Sequence, residues 1–268
     1  MLALLRQQSH HLTKSASALI LKNTRQHFSN AVLQRRLVSG SQRYESNGIS
    51  LEFGKFQKSQ ESEAIELLTS TFLNHEPMTN YLQSPLKALV HFNTVVVDRS
   101  LRDDISTVAI DTKLNRVIGF QASFLISSPN EKADFDESAE ILEPLQPITD
   151  ILARVQERIF QLDKVKTIFA SGEKCMELFM VGVSDGYHGH GILKQLLHDS
   201  VELGKSKGAK MVYTKLTGPV SQHIFAKAPG FAQIGDVEPY TTFESRGHRP
   251  FRDMPPENKG IVICVKQL

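Results

Sequence analysis

The sequence predicts an α/β protein: one domain built round a mixed sheet and flanked by helices. From residue 49 onward, segments that alternate apolar and polar residues take turns with segments of helical period. Two of the strand-like segments follow each other across a three-residue turn, which reads as a hairpin. No repeat or interior linker divides the chain, and 268 residues with 40% hydrophobic content suffice for one large core.

The elements follow in order. "ISLEFGKF" (49–56) has the strand period, and "SQESEAIELLTSTFL" (59–73) changes to a helical one. Ala64, Ile65, Leu67, Leu68 and Phe72 share a face of that helix, which Ser59 or Ser62 is placed to cap. A helical stretch over 79–92 leads to the strands 105–112 and 116–126, joined by "KLN". Polar, Pro-containing sequence fills 127–144. Residues 148–169 read as a single helix with Ile151, Leu152, Val155, Ile159 and Phe160 on one side. A strand (176–183), a helix (about 190–207) and a strand (209–216) come next. The helix buries Ile192, Leu193, Leu196, Leu197 and Val201. A short helix (219–228), a strand (231–243), an Arg- and Pro-rich loop and a last strand (260–268) complete the chain.

Charge is unevenly placed. Before Glu45 there is no acidic residue, but Arg6, Lys14, Lys22, Arg25, Arg35, Arg36 and Arg43 supply seven positive charges among many Ser, Leu and Ala. Removing those seven from the 31 Lys and Arg leaves 24 against 29 Asp and Glu, so the remainder is net acidic. Residues 1–44 lack a secretory apolar core and have the composition of a mitochondrial transit peptide, with a cut near "RRLVSG". The expected location is the mitochondrial matrix, or the cytoplasm if the segment is instead a basic arm that touches nucleic acid or anionic lipid. The expected domain is 45–268. No apolar run reaches the roughly 18 residues of a bilayer span, so no integral membrane association is expected. Nucleic acid ranks last as a partner, since the folded part is acidic and shows no basic, aromatic-bearing strand pair. Cys175 and Cys264 lie far apart and fit no zinc or redox spacing.

The segment "MELFMVGVSDGYHGHGILKQLLHDSVELGKSKGAK" (176–210) opens a helix on glycines and histidines. A helix N-terminus carries unpaired N–H groups and partial positive charge, and glycines there let the backbone approach a phosphate. A plain strand-to-helix turn also uses glycine. The dinucleotide fingerprint fails for want of a third glycine, and the P-loop for want of Gly-Lys-Ser/Thr. His188 and His190 form an H-x-H pair with no carboxylate or cysteine at ligand spacing, so no metal is expected.

The strand, "VSDGYHGHGIL" and the following helix resemble the acetyl-CoA motif of the GNAT superfamily of N-acetyltransferases, Arg/Gln-x-x-Gly-x-Gly/Ala after a β-strand. His188 takes the Arg/Gln place, Gly191 the central glycine and Leu193 the last small residue; the first and last are departures. A histidine is shorter and only partly charged near neutrality, and Leu193 either crowds the pyrophosphate or faces the core. "AKMVYTKLTGPVSQHIFAKAPGF" resembles the following strand, helix and terminal Gly-Phe, and "FLNHEPM" the Phe and Glu-Pro segment of insect dopamine-type arylalkylamine N-acetyltransferases. The resemblance covers about 49–268. It implies a mostly antiparallel GNAT-like sheet, acetyl-CoA as co-substrate, a small primary amine such as dopamine, tyramine or serotonin as acceptor, and a monomer.

It also implies roles. Acetyl transfer needs a neutral amine, but an alkyl ammonium has a pKa near ~10.4 and must first lose a proton. Glu76 takes the general-base position, with Pro77 biasing it to extended backbone. A carboxylate of ordinary pKa, ~4.3, needs burial or a water relay for that work; the bland reading is a solvated loop residue. Val181, Gly182 and Val183 are assigned to the acyl and pantetheine arm, where strand N–H groups face the developing oxyanion; a fold-serving bulge would use Gly182 equally. His188, Gly189, His190, Gly191, Ile192 and Leu193 are assigned to the diphosphate. The family's usual Tyr acid is replaced by Ala226, which leaves the Ser pair of the insect enzymes, here Thr217 and Ser221, to reprotonate the thiolate; Ser221 is preferred, because Thr217 serves equally as a helix cap. Two other readings stay open: an acceptor that is a polyamine, amino acid or protein amino group, and a non-catalytic acyl-CoA-binding module.

Overall fold

The computed structural model describes residues 42–46, 48–130 and 140–268, and only the backbone of 42–46. The segment 1–41 and part of the polar stretch 127–144 lie outside the described residues. Among the described residues eight strands form one sheet: β1 (Gln42–Ser46), β2 (Ile49–Lys55), β3 (Thr107–Asp111), β4 (Arg116–Ile126), β5 (Lys174–Val183), β6 (Ala209–Leu216), β7 (Ala232–Pro239) and β8 (Gly260–Gln267). The α-helices among the described residues are α1 (Glu61–His75), α2 (Pro77–Tyr81), α3 (Leu86–Asp103), α4 (Gln146–Phe160), α5 (Asp163–Ala170), α6 (Ile192–Ser206) and α7 (Pro219–Phe225).

The strand order is β1-β2-β3-β4-β5-β6-β8-β7, and every neighbouring pair is antiparallel except β5 and β6. The sheet is thus mixed and mostly antiparallel, as expected. The single parallel pair needs a crossover, and α6 provides it. One face of the sheet is covered by α6, where Ile192 and Leu196 pack on Leu51, Phe53 and Ile118, and Val201 on Met176 and Val212. The other face carries the larger core, in which Leu68 of α1, Val96 of α3, Ile151 of α4 and Val165 of α5 meet Phe120 and Phe124 of β4. Strand β4 is buried over most of its length because both faces are covered.

Three segments differ from the sequence reading. Gln42–Tyr44, assigned there to the tail, belong to β1, which pairs with β2 over five residues. The helix expected over 79–92 is two helices: α2 ends at Tyr81, Gln83 has a φ of 50°, and Pro85 starts α3 as its N-cap, since its fixed φ suits a helix start. The second of them then runs eleven residues beyond 92, to a left-handed C-cap at Asp104. The single helix expected over 148–169 is also two. Leu162 is extended (φ −65°, ψ 130°) between α4 and α5, and Phe160 packs edge-on against Phe169 with ring centroids 5.6 Å apart. Apolar periodicity cannot show that break, because both halves bury residues against the same core.

Strand β5 parts from β6 halfway along. It pairs with β4 out to Val183 but with β6 only from Lys174 to Leu178. At the point of divergence Phe179 is an extra residue: Leu178 faces Ser123 and Met180 faces Ala122. Such a bulge bends its strand, and residues 179–183 consequently turn an unpaired backbone edge toward the gap beside β6.

Candidate active site

The turn after β5 is built locally. Ser184 N donates to Ile118 O at 2.8 Å, Tyr187 N to Ser184 O at 3.1 Å, and the Tyr187 hydroxyl to Asp111 Oδ2 at 2.8 Å. Gly189 and Gly191 then have φ of +84° and +74°, conformations that favour glycine, and a side chain at either would point into open space. Gly191 is the N-cap of α6 and offers no capping side chain; the first backbone bond of the helix runs from Gln195 N to Gly191 O. The N–H groups of Ile192, Leu193 and Lys194 therefore have no partner within the helix. A side-chain cap would occupy that position; glycine leaves it clear.

The two apolar residues of this run are core. Ile192 is 2% exposed, and Leu193 packs with the cluster around Leu197 and Val201. Leu193 is half-buried with its side chain against that cluster, the contact expected of the core-facing reading. His188 is exposed, with Nε2 3.3 Å from Val183 O, and its ring meets that of His75 edge-on. His75 in turn pairs with Asp185 at 3.1 Å. Among the described residues no group of three or more His, Cys, Asp and Glu side chains is placed to hold a metal.

Val181 and Val183 are half-buried in the diverging part of β5, and Gly182 between them is buried. A Cβ on Gly182 would stand 2.9 Å from Thr71 Oγ1 and 3.4 Å from Leu67 Cγ. The absent side chain makes room for α1, so the fold-serving reading of this glycine is the one its contacts support. Gly182→Ala is expected to lower stability by about 1–3 kcal/mol, and Thr71→Ala in the same chain to recover most of it in thermal denaturation. A Gly182→Ala protein of unchanged stability contradicts the packing.

Glu76 lies where α1 gives way to α2. Its backbone is extended (φ −83°, ψ 124°), as Pro77 requires, and its Oε2 caps α2 by accepting from Thr79 N at 2.7 Å. The residue is 8% exposed, so it is not a solvated loop carboxylate. Oε1 is buried and makes no hydrogen bond. Burial raises the carboxyl above its ordinary value, and donors from Thr79, Thr217 and Met78 offset only part of that rise. Thr217 is near enough to temper the charge, but its hydroxyl is not in hydrogen-bond geometry with Oε1.

Glu76 and Thr217 line one narrow apolar cavity of about 70 Å³, walled by Phe72, Phe92, Leu152 and Phe179. Ser221 does not line it; its hydroxyl donates to Gly218 O at 2.9 Å, inside the first turn of α7. Thr217 does not cap that helix, whose N-cap is Gly218. The structure thus brings Thr217, and not Ser221, to Glu76. Tyr240 was missed in the sequence. It is fully buried, and its hydroxyl donates to Thr217 O at 2.7 Å, fixing the strand end that carries Thr217. Burial first, and the charge of Glu76 second, hold its phenol far above the ordinary tyrosine value, so it remains a donor. No local signal marks it, since the contact spans 23 residues and depends on the turn after β7.

No protein-family model matches the sequence, and no curated protein matches it either. Solved structures do match. The C-terminal condensation domain of Ebony, determined in complex with β-alanyl-dopamine, is 17% identical, with 82% of this chain and 100% of that one covered and a TM-score of 0.68. The Drosophila melanogaster polyamine N-acetyltransferase, which forms N-acetylagmatine, is 16% identical over 81% of this chain and 100% of that one, with a TM-score of 0.64. Arylalkylamine N-acetyltransferase 2 of Aedes aegypti is 19% identical over 81% and 98%, with a TM-score of 0.59. What folds from this sequence is the GNAT N-acetyltransferase fold, in the form seen in insect arylalkylamine and polyamine N-acetyltransferases.

Proposed function

We propose that this chain transfers an acetyl group from acetyl-CoA to a small primary amine by direct attack, with Glu76 as general base. The observation that carries the reading is the buried, half-partnered carboxylate of Glu76 in an aromatic-walled cavity. An ammonium group entering that cavity meets a single carboxylate oxygen whose bonding capacity is unused, and the raised proton affinity of Glu76 suits it to take a proton near neutral pH. The likeness to the arylalkylamine and polyamine N-acetyltransferase structures supports the same reaction class.

Acetyl-CoA supplies the thioester carbonyl: a C–N bond forms to the amine, the C–S bond breaks, and coenzyme A leaves as the thiol. The residues present fit such a co-substrate. The glycine turn at 189–191 and the first amides of α6 offer unhindered N–H donors to a diphosphate. The unpaired edge of Val181–Val183 offers further donors beside the gap in the sheet. Glu76 receives the proton of the ammonium; the second proton, which the nitrogen sheds once the C–N bond has formed, passes to the departing sulfur, with the Thr217 hydroxyl beside Glu76 placed to relay it.

The purified chain, given acetyl-CoA and a panel of primary amines, is expected to release free thiol and the matching N-acetyl amide with at least one of them. Tight acetyl-CoA binding in calorimetry without thiol release for any amine would make the chain an acyl-CoA-binding module instead.

A further inference from the structure

A closed ring of buried polar groups stands at the point where β5 and β6 part. Lys215 Nζ on β6 pairs with Glu177 Oε1 on β5 at 2.8 Å and donates to Gln156 Oε1 on α4 at 2.7 Å. Gln156 Nε2 donates to the Tyr213 hydroxyl at 2.7 Å, and that hydroxyl donates to Glu177 Oε2 at 3.3 Å, which closes the ring. The Lys215 and Glu177 side chains are 8% and 6% exposed, and Tyr213 is fully buried. Burial first, and Glu177 second, hold the Tyr213 phenol well above its ordinary value, so it stays a donor. Three elements therefore hold one ammonium group in a low-dielectric place, where Glu177 Oε1 engages it by charge and not by a hydrogen bond.

Lys215 is also one of the residues that line the cavity holding Glu76. Lys215 is the next-to-last residue of β6, Thr217 follows the strand's end, and both line the cavity. The ammonium sits 5.7 Å from the centroid of Phe179, another wall. An ammonium has three N–H donors; Gln156 accepts one, Glu177 balances the charge at ion-pair distance without hydrogen-bond geometry, and donor capacity is left over. Its charge is already balanced by Glu177. Among the described residues lining the cavity, Glu76 and Lys215 are the charged ones, so no second carboxylate awaits a second cation.

Resting on the amine-acceptor reading of this cavity, we propose that Lys215, held by Glu177 and Gln156, is a specificity-determining residue: it selects a monoamine whose far end bears an uncharged oxygen acceptor. A charge-paired ammonium with donor capacity to spare suits a neutral oxygen. A second cationic group would meet Lys215 without a counter-ion, and a carboxylate would bury a charge that Glu177 has already balanced.

The test is direct binding of matched probes to the full chain with coenzyme A present. The probes are phenethylamine, tyramine (the same amine with a phenolic oxygen), 4-(2-aminoethyl)benzoate (with a carboxylate) and agmatine (with a second cation). Each is followed by calorimetry, and turnover with acetyl-CoA is measured beside it. Tyramine is expected to bind about tenfold tighter than phenethylamine, and the carboxylate and the dication no tighter than phenethylamine. In Lys215→Met the tyramine-to-phenethylamine ratio is expected to fall to near one. Because that change leaves Glu177 buried and unpaired, the double variant Glu177→Gln, Lys215→Met is measured with it; replacing both members of a buried pair is commonly tolerated. A merely structural pair would alter all affinities together and leave the ratio in place. A ratio near one in the natural chain, a ratio unchanged in both variants, or agmatine binding tighter than phenethylamine would overturn the inference. If N-acetyl product still formed, the proposed reaction would survive that result. If no probe bound or was acetylated, both would fall.

Discussion

Glu76→Gln is expected to slow N-acetyl transfer by about 10²- to 10⁴-fold, the range for loss of a general base, without lowering stability at pH 8. The first part follows from placement: Oε1 is the buried acceptor without a hydrogen bond in the cavity, and glutamine at that position cannot take a proton. The second follows from the direction of the shift. Burial raises the Glu76 carboxyl, so the folded chain binds that proton more tightly than the unfolded one. The stabilising contribution is then complete below the ordinary carboxylate value and is lost as pH rises through the raised one. At pH 8 the ionised group is a net cost that glutamine relieves, while the Thr79 N–H keeps an acceptor. Thermal denaturation should show the variant equal or superior at pH 8, with the difference shrinking toward pH 4. In the natural chain the acid limb of kcat/KM should lie above the ordinary carboxylate value. Undiminished turnover in the variant would remove Glu76 from the reaction, and a lower melting temperature at pH 8 would contradict its burial without charge compensation.

Gly191→Val is expected to weaken acetyl-CoA binding by at least about tenfold, with only the stability loss that backbone strain imposes. A β-branched residue at φ +74° costs roughly 1–2 kcal/mol, while the space around its Cβ is open, so no packing is disturbed. Relief of that strain rotates the peptide planes whose N–H groups start α6, and about 1.4 kcal/mol is a factor of ten in affinity. Gly172→Val is the matched control, with φ +72° and equally open surroundings before the far end of β5. It should lose similar stability and keep its affinity for the coenzyme. Equal affinity in both variants would dissociate the glycine turn from coenzyme binding.

The helix and strand segments were legible because local periodicity reports which side of each segment is buried. In α6 the alternation of Ile192, Leu196 and Leu197 with Lys194, Gln195 and His198 leaves one reading. Glu76 was singled out by the resemblance of "FLNHEPM", and Pro77 accounts for the extended backbone that aims its carboxylate. The breaks inside 79–92 and 148–169 were not, because each half of a broken helix keeps an apolar face and only the path of the chain over the sheet decides where it must bend. Strand β1 escaped notice because its residues are polar and its existence depends on the free edge of β2. Lys215 in "AKMVYTKL" reads as an outward-facing residue of an alternating strand. Its burial depends on Glu177 and Gln156, 38 and 59 positions away, and a short-range pattern has no term for such partners.

The sequence alone determined the succession of strands and helices, the glycine-opened start of α6 and the carboxylate held beside a proline. These rest on backbone conformation and on burial periodicity within one or two turns. The tertiary structure decided that β8 lies between β6 and β7, that β5 leaves β6 after Leu178, and that Thr217, rather than Ser221, joins Glu76 in the cavity. The physical reason is that strand pairing and the desolvation of charged groups are set by partners distant along the chain. Their free energies exist only once the sheet and its covering helices have closed around them.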